Sequence, residues 1–176
     1  MKTDNIERYL NSFGKQVVNR AKGNLQKAKG GGTKLENSIN FKVVTEADGF
    51  AIQFYMSSYG TFVDKGVSGT KVKRKYTDYK GKSKSSPYKY TTKQPPSRVL
   101  DKWIVKKGIA PRDEKGRFMS RKSISFLIAR SIKRKGIEGL SFFQKPLGLG
   151  LKQFGKDLLG NVKQDIIDTL NKTTVN

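Results

Sequence analysis

The chain has 176 residues, with 37 Lys and Arg against 14 Asp and Glu, a net charge of +23, no histidine and no cysteine. That length suits one domain, and 35% hydrophobic residues suffice for one modest core. Disulfides, thiol nucleophiles, cysteine–zinc sites, imidazole ligands and histidine-based triads are excluded, leaving carboxylates, Lys, Tyr, Ser and Thr for any chemistry.

The start, Met1-Lys2-Thr3-Asp4-Asn5-Ile6-Glu7, carries acids too early for a signal peptide. From Asp4 to Ala28 the apolar residues Ile6, Leu10, Phe13, Val17, Ala21, Leu25 and Ala28 step by three or four, which predicts an amphipathic helix. Gly30-Gly31-Gly32 stops it. Ser38 to Glu46 then alternates, with Ile39, Phe41 and Val43 on one face, and Phe50, Ile52, Phe54 and Met56 alternate after Ala47-Asp48-Gly49. Asp-Gly between two alternating runs predicts a β-hairpin, for which the first helix is the available cover. Tyr59 to Val67, bounded by glycines, reads as a strand edge or a single turn.

Residues 70–96 lose all periodicity. Lys71, Lys73, Arg74, Lys75, Lys80, Lys82, Lys84, Lys89 and Lys93 face one acid there, Asp78, and Tyr76, Tyr79, Tyr88 and Tyr90 are interleaved with them. Over the chain, residues 1–70 hold 10 basic and 6 acidic side chains, 71–136 hold 22 and 4, and 137–176 hold 5 and 4. A solubility device would be scattered, so a block this concentrated faces a polyanion, an acidic partner or solvent. Lys neutralises phosphate and Tyr supplies stacking or packing area, so the nine cations named are the candidate polyanion or partner contacts.

Ser97 to Lys107 reads as a short helix with Leu100, Trp103 and Ile104 on its apolar face, and 110–118 as a charged loop. Ser120 is the expected N-cap of a helix presenting Ile124, Leu127, Ile128 and Ile132, closed by Gly136. Its last turns carry Arg130, Lys133, Arg134 and Lys135, where the helix dipole already favours cations. Leu140 to Leu147 reads as an extended aromatic arm. From Gly150 to Lys172 a second amphipathic helix is expected, striped by Leu151, Phe154, Leu158, Val162, Ile166 and Leu170.

For catalysis the sequence offers little. Gly30-Gly31-Gly32-Thr33-Lys34 follows a helix and precedes a strand, the reverse of phosphate-cradling order. Asp113 and Glu114 share a basic loop, and Asp165 with Asp168 gives too few ligands for a metal. A two-metal nuclease needs no histidine, yet fourteen scattered acids nominate no set. The expectation is a non-enzymatic protein without cofactor or metal.

The order of short motifs resembles the tailed-bacteriophage neck and tail-completion proteins that join head to tail. Thr33, Leu35, Ser38 and Ile39 match a Thr-Gly-x-Leu-x-x-Ser-Ile pattern, with Lys34 in place of its glycine. Tyr59, Val63, Asp64 and Gly66 match a Tyr–hydrophobic–acid–x–Gly stretch, and Phe143 with Pro146 a late Phe-x-x-Pro-like arm. The resemblance implies an α+β subunit, a small antiparallel sheet packed on the long first helix, with a long basic loop insertion and a C-terminal helix. Residues 1–69 and 119–176 would form the core domain and 70–118 a basic, Tyr-rich insertion. It further implies a closed ring of copies, sixfold or twelvefold, between portal-side and tail-side virion proteins. The ring would surround the channel for double-stranded DNA and would be assembled in the host cytoplasm; separately, no apolar run approaches the ~20 residues of a membrane span, so no membrane contact is expected. Phe142, Phe143, Pro146 and Leu147, with the exposed part of the terminal helix, are the expected subunit interface. The alternative is a stand-alone basic nucleic-acid-binding protein, a packaging or ribosome-associated factor.

Overall fold

A computed structural model describes residues 3–46 and 49–173. The fold is α+β: a long N-terminal helix, small antiparallel sheets and a long C-terminal helix. The chain divides into two compact units, Met1–Gly60 with Thr77–Lys82 and Ser141–Asn176, and Thr61–Tyr76 with Ser83–Leu140.

In the first unit α1 (Asp4–Lys29) buries Ile6, Leu10, Phe13, Val17, Ala21 and Leu25, the predicted stripe except Ala28, and also Val18, which the stripe did not include. It ends at Gly30, whose φ of 78° is left-handed and suits glycine. Thr33 accepts from the Glu36 amide to start a turn of helix, α2 (Lys34–Ser38), which the alternation did not announce. Leu35 and Ile39 are buried beneath it, so Ile39 ends α2 instead of opening a strand. Strands β1 (Asn40–Glu46) and β2 (Gly49–Tyr55) pair antiparallel with Phe41 opposite Phe54 and Val43 opposite Ile52, as the alternation predicts. Ala47 and Asp48, on which the turn prediction rests, lie outside the described residues. The hairpin packs on α1 where Gly14 makes room: a Cβ on Gly14 would lie 2.3 Å from the Phe41 ring.

The second cover of α1 is α6 (Gln144–Thr173), which begins six residues earlier than the sequence predicts. Phe154 stacks edge-on against Phe13 at 4.7 Å between centroids, and Gly150 lies beside the Phe13 ring. Residues 142–147 are therefore not an extended arm. A turn at Phe142–Phe143 leads into the helix, Phe142 and Pro146 are fully buried, and Phe143 packs edge-on against Phe54 at 5.3 Å. Burial of two aromatic rings, about 1.5–3 kcal/mol each, holds the segment inside the unit.

The second unit contains α3 (Gly60–Lys65) from Thr61 onward, where a strand edge or turn was expected, and β3 (Val67–Ser68). Two three-residue strands follow within the basic stretch, β4 (Lys75–Thr77) and β5 (Ser83–Ser85). Ser97–Leu100 is a 3-10 turn leading into α4 (Asp101–Lys106). Helix α5 (Arg121–Lys135) is capped by Ser120, whose hydroxyl accepts from the Ser123 amide, and β6 (Gly136–Ile137) pairs antiparallel with β3. Ile104, Ile124, Ala129 and Val67 form its core. The Ser125 hydroxyl donates to Asp101 at 2.6 Å, tying α5 to α4. Stretches 61–69 and 119–140 group with residues 83–118 in one compact unit that has its own buried residues. Helix α5 packs against the 97–106 helices with Ile124 and Ala129 buried, whereas Leu127, expected on the same face, is 50% exposed.

Candidate functional site

The site is built on a backbone crossing in the second unit. Ser68 is paired on both sides: antiparallel with Gly136 across β3–β6, and through its N–H to Tyr88 O and its carbonyl to the Tyr90 amide, each at 2.8 Å. Two glycines permit this closeness. A Cβ on Gly69 would lie 2.2 Å from Arg134 O, and one on Gly136, whose φ is +73°, 2.2 Å from Val67 O.

The crossing delivers residues 70–74 to the C-terminal end of α5. Thr70 and Lys71 donate their amides to the carbonyls of Lys133 and Arg134 at 2.9 Å, and the Arg74 guanidinium donates to Lys135 O at 2.8 Å. The Gly136 amide takes Ile132 O. The last four carbonyls of α5, which a helix end leaves without partners, are therefore all engaged by protein donors. This separates the cations by task. Arg74 caps the helix, and the Lys133 ammonium donates to Thr92 O. Lys71, Lys73, Lys89, Arg130, Arg134 and Lys135 are exposed, and no ion pair reaches them among the described residues.

These six line two adjoining clefts. One, of about 500 Å³, is bounded by Lys71, Val72, Leu127, Arg130, Arg134 and Lys135; the other, of about 580 Å³, by Lys71, Lys73, Ser85, Ser86, Lys89, Tyr90 and Thr91. Lys71 and Val72 belong to both, and neither has a carboxylate in its wall. The second unit as a whole holds 21 Lys and Arg and 5 Asp and Glu, a net of +16 out of +23.

Of the nine cations nominated from sequence, Lys71, Lys73 and Lys89 come together in the clefts. Arg74 serves the helix end, while Lys75, Lys84 and Lys93 are exposed elsewhere on the same unit. Lys80 and Lys82 belong to the first unit, on a turn where both donate their amides to Asp78 Oδ1. There Lys80 lines a separate cleft of about 550 Å³ with Tyr79, Lys145 and Lys152. Sequence reasoning assigned Arg130, Arg134 and Lys135 to the helix dipole. Nothing local to α5 shows that residues 70–74 take over the capping.

Of the four tyrosines, Tyr79 is 43% exposed in the first unit and the other three are half-buried. Tyr88 packs edge-on against Phe62 at 4.4 Å, Tyr76 and Tyr90 are half-buried, and burial pushes the Tyr90 phenol up, keeping it neutral. Phe142, Phe143 and Pro146, expected at a subunit interface, are buried inside the first unit, and Leu147 is half-buried there.

A different surface is exposed on α6. Leu151, Gly155, Leu159, Val162, Ile166 and Leu170 step by three or four and share one face; Leu159 is 70% exposed and Leu170 60%. The predicted stripe is thus divided, Phe154, Leu158 and Val162 half-buried and Leu151, Ile166 and Leu170 exposed. Among the described residues no three carboxylates gather as a metal site, and no helix is long and apolar enough to cross a membrane. No family model, no curated protein and no solved structure matches the chain.

Proposed function

We propose that the chain is a non-enzymatic structural subunit of a tailed-phage neck or tail-completion assembly, forming a closed ring at the head–tail junction. The observation that carries this reading is the apolar face of α6, about 28 Å long at 1.5 Å per residue. A row of Leu and Ile left in water along one helix marks a surface made to be covered. In a cyclic ring it meets a different patch on the next copy, so contacts propagate until the circle closes.

Several of the residues that carry the family resemblance also support it by sitting at structural joints, whereas Tyr59 is 44% exposed. Thr33 caps α2, Leu35 and Ile39 are buried, and Ser38 Oγ donates to Leu35 O and accepts from the Ser57 amide. Gly66 turns with φ +72° against Gly139, and Phe143 with Pro146 seats the start of α6. The test is mass measurement of the purified protein alone and mixed with portal-side and tail-side virion proteins. Ring-sized species that require the α6 face, and are lost in Leu159→Lys, are expected; a protein that stays monomeric with every such partner refutes the reading.

A second reading, a stand-alone nucleic-acid-binding protein, is favoured by the +16 of the second unit. It predicts a stable DNA complex with no protein partner.

A further inference from the structure

We infer that the two adjoining clefts at the end of α5 form a single binding site for the phosphate backbone of duplex DNA, read without regard to sequence. The inference does not require ring assembly, and the experiment below uses DNA alone, so its failure and the failure of the ring reading are separate events.

The first argument is the division of labour among the cations. A basic cluster at a helix C-terminus ordinarily has a local explanation, because cations there answer the carbonyl ends. Here the carbonyls of residues 132–135 are taken by the amides of Gly136, Thr70 and Lys71 and by Arg74. Arg130, Arg134 and Lys135 are left with no partner in their own helix end, and the residues that displaced them add Lys71 and Lys73 to the same surface. Like charges gathered without a carboxylate repel one another, and an external anion relieves that repulsion.

The second argument concerns which anion. Protein interfaces deplete Lys and other charges from their centres and place aromatic rings there. This surface does the opposite: Lys71 sits where the two clefts join, six cations line the walls, and Tyr90 is the one aromatic residue among the described residues that line them. A single half-buried ring, Tyr90, lies in the cleft walls, and one ring does not make the series of platforms on which single-strand binders stack successive bases. Exposed hydroxyls at Ser85 and Thr91 flank the lysines, and such groups also donate to phosphate oxygens beside Lys and Arg. The arrangement therefore suits a regular polyanion with its bases stacked away, which is a duplex.

The test is titration of a labelled 30-base-pair duplex with the full-length chain over a series of salt concentrations. With six phosphates neutralised, log K should fall against log salt with a slope of about −5, a roughly 1,000-fold loss between 50 and 200 mM salt. Two duplexes of unrelated sequence should bind alike. The triple variant Arg130→Gln, Arg134→Gln, Lys135→Gln should reduce the slope to about −2 to −3. A control with the same charge removed from the first unit, Lys27→Gln, Lys29→Gln, Lys34→Gln, should change it by less than about 1. All six residues are exposed, and circular dichroism checks that both variants remain folded. Equal slope changes in the two triples would mean net charge and not a site, and would overturn the inference. So would poly-glutamate displacing the duplex at equal charge concentration, which would assign the clefts to an acidic protein.

Discussion

Asp165 ties the two ends of the first unit together. It is 1% exposed, and its two oxygens accept from the amides of Asn5 and Ile6 at 3.1 and 3.0 Å and from the Asn5 side chain at 2.8 Å. A carboxylate from α6 thus caps the first turn of α1, where N–H groups lack helical partners and the dipole favours negative charge. Burial works to raise its pKa, but the three hydrogen bonds and the charge of Arg8 outweigh burial and hold the group below its ordinary value. Glu36 is lowered in the same direction, chiefly by the Gln26 side chain. For a carboxylate with a depressed folded pKa, the stabilisation is complete above the unfolded value and is lost as pH falls through the folded one. Thermal stability should therefore be flat from neutral pH down to about pH 5 and decline below about pH 4. In Asp165→Asn, melting followed by circular dichroism should show a lower midpoint at pH 7 and a shallower acid decline. Gly69 makes the complementary case for space. Gly69→Ala brings a methyl against Arg134 O, and the expected cost of about 1–3 kcal/mol should appear in urea unfolding together with weaker DNA binding.

At the scale of elements, α6 is the most informative. Gly155 and Gly160 lie in its middle, and a Cβ at either meets nothing within 4 Å. Replacing each by Ala should stabilise the helix by up to about 1 kcal/mol, read as a raised melting temperature. The elements whose pattern is local were legible in the sequence: the stripe of α1, the alternation of β1 and β2, and the Ser120 cap of α5. What escaped depended on contacts far along the chain. The Phe142–Leu147 segment reads as an arm because two adjacent phenylalanines and a proline break every period, yet Phe54, 89 residues earlier, supplies the partner for Phe143. Helix α2 escaped because a single capped turn is too short for periodicity. The cationic site was half legible. Lys71, Lys73 and Lys89 stand out by density, whereas the role of Arg130, Arg134 and Lys135 rests on which groups occupy carbonyls 132–135, and that is written in residues 70–74 and 136.

Taken whole, the molecule keeps +16 of its charge on one unit and +7 on the other. Crowded like charges destabilise the compact state and are screened by salt, with a Debye length of about 10 Å at 0.1 M. Raising sodium chloride from 20 to 300 mM should therefore increase the melting temperature, and the Arg130, Arg134, Lys135 triple variant should show a smaller increase than the native chain. A melting temperature indifferent to salt would mean that the cations are too well solvated to feel one another. Among the carboxylates, Asp165 and Asp113 both accept from backbone amides.

The pairing of α1 with α6 joins the opening of the chain to its closing stretch, Asp4–Lys29 against Gln144–Thr173. During translation the greasy side of α1 leaves the ribosome some 115 residues ahead of the helix that shelters it. At roughly 5–20 residues per second that is a wait of about 6–23 s. Nascent chains should accordingly recruit holdase chaperones through this interval and release them only once α6 has emerged.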